Sequence, residues 1–64
     1  MIGTSIKERR RILNITQAQL AELAEISVNT LYKIERNQAN PTLHTLEKLA
    51  DILGMQLILQ IKQK

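Results

Sequence analysis

Five side chains able to recognise a polyanion fall within nine residues of this chain: Val28, Asn29, Tyr32, Lys33 and Arg36. On a helix that turns about 100° per residue they share one side, while Ser27, Thr30, Leu31, Ile34 and Glu35 share the other. The outer side carries no acid, two cations, one amide and one phenol. Asparagine pairs bidentately with adenine, lysine donates to guanine, and valine meets a thymine methyl. Tyrosine contacts a base or a phosphate. A solvated helix face is the plain alternative, but Tyr32 and Val28 are poor choices for a face that meets only water.

Such a face needs elements that hold it. Thr4 or Ser5 to Leu13 is predicted as a first helix, with Ser5 and Glu8 as a capping box. Ile2, Ile6 and Leu13 fall on one side of it, and Asn14 tolerates the left-handed conformation that ends helices. A second helix opens at Thr16, where Gln19 completes a capping box and Ile15 and Leu20 form a staple. Its inner face is Leu20, Ala21 and Ala24, small enough for close approach. The third helix is capped by Ser27, stapled by Ile26 and Leu31, and runs to about Arg36. Asn37 to Pro41 is a loop by its turn residues. The fourth helix is capped by Thr42, stopped by Gly54, and lined by Leu43, Leu46, Leu49, Ala50 and Leu53. After Gly54 the period changes from 3.6 to 2. Met55, Leu57, Leu59 and Ile61 alternate with Gln56, Ile58, Gln60 and Lys62, the pattern of a half-buried strand. The expectation is an all-α fold of four or five short helices over residues 1–54. Residues 55–64 would form one C-terminal β-strand that pairs across a homodimer.

Composition limits the functions open to this chain. At 64 residues it is one domain with a thin core, burying only about 60 % of its unfolded surface. A hydrophobic share of 44 % and a charged share of 23 % are globular values. Without cysteine, and with His44 as its one histidine, it offers no disulfide, thiolate zinc site or histidine-rich metal site. No apolar run approaches the ~18 residues of a membrane helix, and no export signal is visible. A cytoplasmic protein is expected. No nucleophile sits beside a base, no carboxylate pair shares a pocket and no phosphate loop is present. An enzyme, a cofactor and a small-molecule substrate are therefore not expected. Nine Lys and Arg against six Asp and Glu leave a net charge of +3, a mild hint of a polyanionic partner.

The second helix, a short turn and the third helix occupy Gln17 to Arg36, the length of a helix-turn-helix. Thr16-Gln17-x-x-Leu20-Ala21, Ile26-Ser27-x-x-x-Leu31-x-x-Ile34-Glu35 and Pro41-Thr42-Leu43-x-Thr45-Leu46 resemble the Xre, Cro and phage-repressor helix-turn-helix family from about Ile6 to Leu53. The resemblance implies a homodimeric repressor that reads double-stranded operator DNA with its third helix. By position, Gln17 would hold a phosphate, and Ser27, Val28, Asn29, Tyr32 and Lys33 would face bases or their flanking phosphates. The loop from Gln38 through Asn40 to Thr42 would touch the DNA backbone, largely through N–H groups. Arg36 joins this set from the outer face. The arginine at position 10 would pair with the glutamate at position 35, leaving Arg9 and Arg11 as solvated or long-range charges. Glu25 and Asn37 stand where the family usually has glycine. For Glu25 this means either a strained turn, at about 1 kcal/mol, or a different turn geometry.

A helical repressor domain followed at once by a strand resembles the HipB-type antitoxins. That likeness implies dimerisation through Met55, Leu57, Ile58, Leu59 and Ile61, and a HipA-type toxin kinase as an alternative partner. A helical protein-interaction module without nucleic acid is a third reading, against which the acid-free face of the third helix argues. His44 reads as a plain surface histidine, and Leu23 as an isolated exposed leucine.

Overall fold

The computed structural model describes residues 1–61 and contains four helices: α1 (Ile2–Ile12), α2 (Gln17–Leu23), α3 (Val28–Glu35) and α4 (Leu43–Leu53). Three start at a hydroxyl cap. The Thr16 Oγ1 accepts the Gln19 N–H at 3.1 Å while the Gln19 Oε1 accepts the Thr16 N–H at 2.8 Å. Ser27 and Thr42 accept the N–H of Thr30 and Thr45 at 3.0 and 3.1 Å. Each of these bonds satisfies an N–H that a helix start leaves without a partner.

Helices this short are marginal alone in water. Packing holds them. Leu20 of α2, Leu31 of α3 and Leu49 and Leu53 of α4 are fully buried, with Ile6 of α1 and Ile34 beside them. Burying each such side chain stabilises the fold by about 1.5–3 kcal/mol. Ala21 and Ala24 are buried too and let α2 lie close against its neighbours. α3 packs on α1 and α2, and α4 packs on the same two helices.

The structure corrects the sequence reading in four places. First, α1 opens at Ile2, and the Ser5 hydroxyl donates to the Met1 carbonyl at 3.1 Å instead of capping. Its cap comes from outside the helix, from Asn37. Second, only Ile6 of the Ile2–Ile6–Leu13 row reaches the core, because Arg10 takes the inward place further along α1; Ile2 and Leu13 are exposed. Third, Leu43 is exposed rather than part of the inner face of α4.

Fourth, no strand occurs among the described residues. The Met55 N–H donates to the Ala50 carbonyl at 2.8 Å, and its side chain packs against the core. From Gln56 to Ile61 the chain has no regular structure; Leu57 and Ile58 are exposed, and Leu59 and Ile61 almost completely so, at 102 % and 94 %. The expectation of contact with the helices therefore fails for Leu59 and Ile61 in the single chain, whereas Leu57, 41 % exposed, lines a groove with Ile6, Leu46 and Ala50. A strand needs a ladder partner, and one copy of this chain supplies none among its described residues. The last part of the predicted strand, residues 62–64, lies outside the described residues.

Candidate nucleic-acid interface

The two sides of α3 separate along most of the helical wheel, although Thr30, placed on the inner side with Ser27, is exposed. Leu31, Ile34 and Glu35 are buried, while Val28, Asn29, Tyr32, Lys33 and the following Arg36 are exposed. Ser27 is exposed as well, but its hydroxyl donates to the Thr30 Oγ1 at 2.8 Å in addition to capping. The Arg36 guanidinium lies over the Tyr32 ring, 5.3 Å from its centroid, a cation–π distance.

A buried network fixes the orientation of α3. Arg10 Nε donates to Glu35 Oε2 at 2.7 Å, and Arg10 Nη2 to Glu35 Oε1 at 3.0 Å. Arg10 Nη1 donates to the Ile15 carbonyl at 2.9 Å. Gln17 Nε2 donates to Glu35 Oε1 at 3.0 Å. One carboxylate thus joins α1, the turn before α2, α2 and α3. Burial on its own would raise the Glu35 pKa. The hydrogen bonds from Arg10 and Gln17, with the charges of Arg10 and Lys7, outweigh burial and hold it below the usual carboxylate range. Arg10 and Glu35 are 8 % and 4 % exposed, so this charge pair is largely removed from water, and each of its nitrogens and carboxylate oxygens has a hydrogen-bond partner.

Gln17, expected at a phosphate, has its amide nitrogen on Glu35 and lines an open trough with Lys7, Arg11, Asn14, Thr16 and Tyr32. The sequence reading missed Lys7 and treated Arg11 as a solvated charge. Spacing alone puts the two on one helix face, since residues four apart are neighbours, but only the fold sets that face beside the start of α2. Arg11 is exposed, as a solvated charge would be, whereas Arg9 is half-buried. Its Nε donates to the Leu53 carbonyl at 2.9 Å and satisfies the end of α4.

In the loop, Gln38, Asn40 and Thr42 are exposed. The Gln38 N–H donates to the Lys33 carbonyl at 2.9 Å. Asn14, Glu25 and Asn37 have φ of 59°, 58° and 59°. Of the two outcomes open for Glu25, the structure takes strain: a side chain is held in the left-handed region, and the Ile26 N–H still closes the turn on the Ala21 carbonyl at 3.0 Å. Among the described residues no cluster of His, Cys, Asp or Glu could hold a metal ion, and no helix is long and apolar enough to cross a membrane.

The helix-turn-helix family model matches residues 6–59. The immunity repressor protein of Bacillus phage phi105 is 46 % identical over 56 residues, which are 88 % of this chain and 39 % of the phage protein. The transcriptional regulator SinR of Bacillus subtilis is 35 % identical over 65 residues, covering all of this chain and 59 % of SinR. The crystal structure of SinR, the master regulator for biofilm formation, in complex with DNA superposes with a TM-score of 0.80 at 38 % identity, over 88 % of this chain and 90 % of that one. A SinR–SinI complex matches with the same TM-score over 86 % of this chain and 54 % of that one. The chain spans 17 to 59 % of the length of such curated relatives. It belongs to the helix-turn-helix family of Xre, Cro and phage-repressor type, a family of non-enzymatic transcriptional regulators.

Proposed function

We propose that this chain is a sequence-specific DNA-binding transcriptional regulator, a repressor that sets α3 in the major groove. The outer face of α3 carries the reading: Val28, Asn29, Tyr32 and Lys33 are exposed on it without an acid. Asn29 and Lys33 lie one turn apart and reach neighbouring base pairs. Gln17, Arg36, Asn40 and Thr42 flank that face as backbone contacts, with Ser27 at its start and Gln38 through its side chain. The likeness to SinR, solved in complex with DNA, supports DNA as the partner. Such a regulator works in the cytoplasm, where its DNA is.

The functional unit in this reading is a homodimer. Leu57, Ile58, Leu59 and Ile61 are exposed and apolar, and Met55 anchors them to the core. A strand edge with unpaired backbone recruits another chain, and pairing two such tails about a two-fold axis is the simplest closed arrangement. It sets two recognition helices about 34 Å apart, one turn of B-DNA. The antitoxin alternative depends on the same tail and on a toxin kinase, and no feature of the structure favours that partner.

Selection from a random DNA pool tests the function. Enrichment of a two-fold symmetric motif is expected. A pool that emerges unenriched overturns the reading.

A further inference from the structure

Tyr32 stands between the two cationic parts of this surface. Its ring lines the trough bounded by Lys7, Arg11 and Gln17, and the ring also carries the Arg36 guanidinium at 5.3 Å. Arg36 is the C-cap of α3 and exposed. A lone arginine there would sweep through many rotamers and deliver its charge to no fixed point. The aromatic face favours one placement, beside the trough.

We propose that Tyr32 is a positioning residue that acts on DNA through Arg36, and that it reads no base itself. The ring holds the guanidinium so that Lys7, Arg11 and Arg36 present charge to one stretch of phosphate backbone. The proposal rests on the DNA-binding reading of α3. It requires only the aromatic face of Tyr32. The hydroxyl is dispensable.

The test compares the 64-residue wild type, Tyr32→Phe, Tyr32→Leu, Arg36→Ala and the double variant Tyr32→Leu/Arg36→Ala. Each is titrated on its selected DNA and on random duplex over a range of salt. Tyr32→Phe keeps the ring and is expected to bind as wild type does. Tyr32→Leu loses the ring face and weakens both DNAs alike, by about two- to fivefold. Its salt dependence shifts toward that of Arg36→Ala, which loses about one unit of slope. The double variant binds no worse than Arg36→Ala alone, because the ring has nothing left to hold. The proposal is overturned by any of three results: a Tyr32→Phe loss equal to that of Tyr32→Leu, an altered selected motif for Tyr32→Leu, or additive losses in the double variant. A wild type that binds no DNA overturns the DNA-binding reading itself. Binding by wild type with any of those three results overturns only the role of Tyr32.

Discussion

The side-chain Oδ1 of Asn37 accepts the backbone N–H of Gly3 at 3.0 Å, across 34 positions of sequence. The left-handed residue that follows the C-cap of α3 is therefore also the cap of α1. Its Nδ2 donates to the Thr4 Oγ1 at 3.4 Å. The approach is close enough that a Cβ at position 3 would collide with the Ile34 carbonyl and stand 2.6 Å from Asn37 Oδ1.

Gly3→Ala is expected to cost about 1–3 kcal/mol or more, since the obstructing Ile34 atom is backbone and cannot swing aside. Asn37→Ala loses the cap, about 1 kcal/mol, and still holds a Cβ at positive φ. Asn37→Gly loses the same cap but relieves the backbone, so it should be the mildest of the three. Urea midpoints give the order; a neutral Gly3→Ala would contradict it.

The Arg10–Glu35 pair should behave as a unit. Either single removal leaves a buried charge unpaired, at about 3–5 kcal/mol. Arg10→Met with Glu35→Leu should be far milder than either alone. The pair also carries a pH signature. The Glu35 carboxyl titrates lower folded than unfolded, so its contribution is fully present above the unfolded-state pKa and is lost as pH falls through the folded one. Denaturant unfolding from pH 7 downward should show a shallower acid loss in the double variant. Equal acid profiles, or additive single effects, would separate the two residues.

Glu25→Gly should raise stability. The substitution removes left-handed strain of about 1 kcal/mol, offset in part by the greater freedom of glycine in the unfolded chain. The Lys48 Nζ–Glu25 Oε1 contact at 3.4 Å is exposed and adds little. Thermal unfolding reads the sign, and a lower midpoint would mean that the pair with Lys48 outweighs the strain.

Asn29→Ala and Gln17→Ala should differ in kind. Losing Asn29 costs about 1–3 kcal/mol on the selected site and relaxes preference at one base pair. Losing Gln17 weakens selected and random DNA more evenly, because phosphates carry no sequence. An Asn29→Ala protein that selects the wild-type motif would displace α3 from the groove.

Met55 packs against the core, so the tail is best removed after it. A chain ending at Met55 should fold, sediment as a monomer at micromolar concentration, and keep only weak, salt-sensitive affinity for any DNA. Light scattering and a gel-shift titration measure both properties. A shortened chain that is still dimeric would move the interface onto the helices.

Most of this architecture is local and was legible for that reason. Thr16, Ser27 and Thr42 announce their helices within three residues. The inward row of Leu20, Leu31, Leu49 and Leu53 follows from helical spacing alone. What escaped is non-local: the cap on Gly3 comes from Asn37, and the Arg9 guanidinium seeks the Leu53 carbonyl 44 positions away. The tail misled for a related reason. Alternation from Met55 to Ile61 describes two faces, but a face becomes a strand only when a neighbour completes its ladder. In the candidate interface, the outer side of α3 was visible on a wheel. The trough at Lys7 and Arg11 was not, because it forms only once α1 lies beside the start of α2.

The division of α3 into two sides also governs how this chain can change over time. Its inward residues Leu31, Ile34 and Glu35 are committed to packing and to the buried network. Its outward residues contribute almost nothing to the core, and exposed substitutions of that kind usually alter stability by less than about 0.5 kcal/mol. Successive substitutions at Val28, Asn29 and Lys33 are thus nearly free of folding cost. Lineages descended from this scaffold can diverge in what that face recognises while the scaffold itself stays fixed.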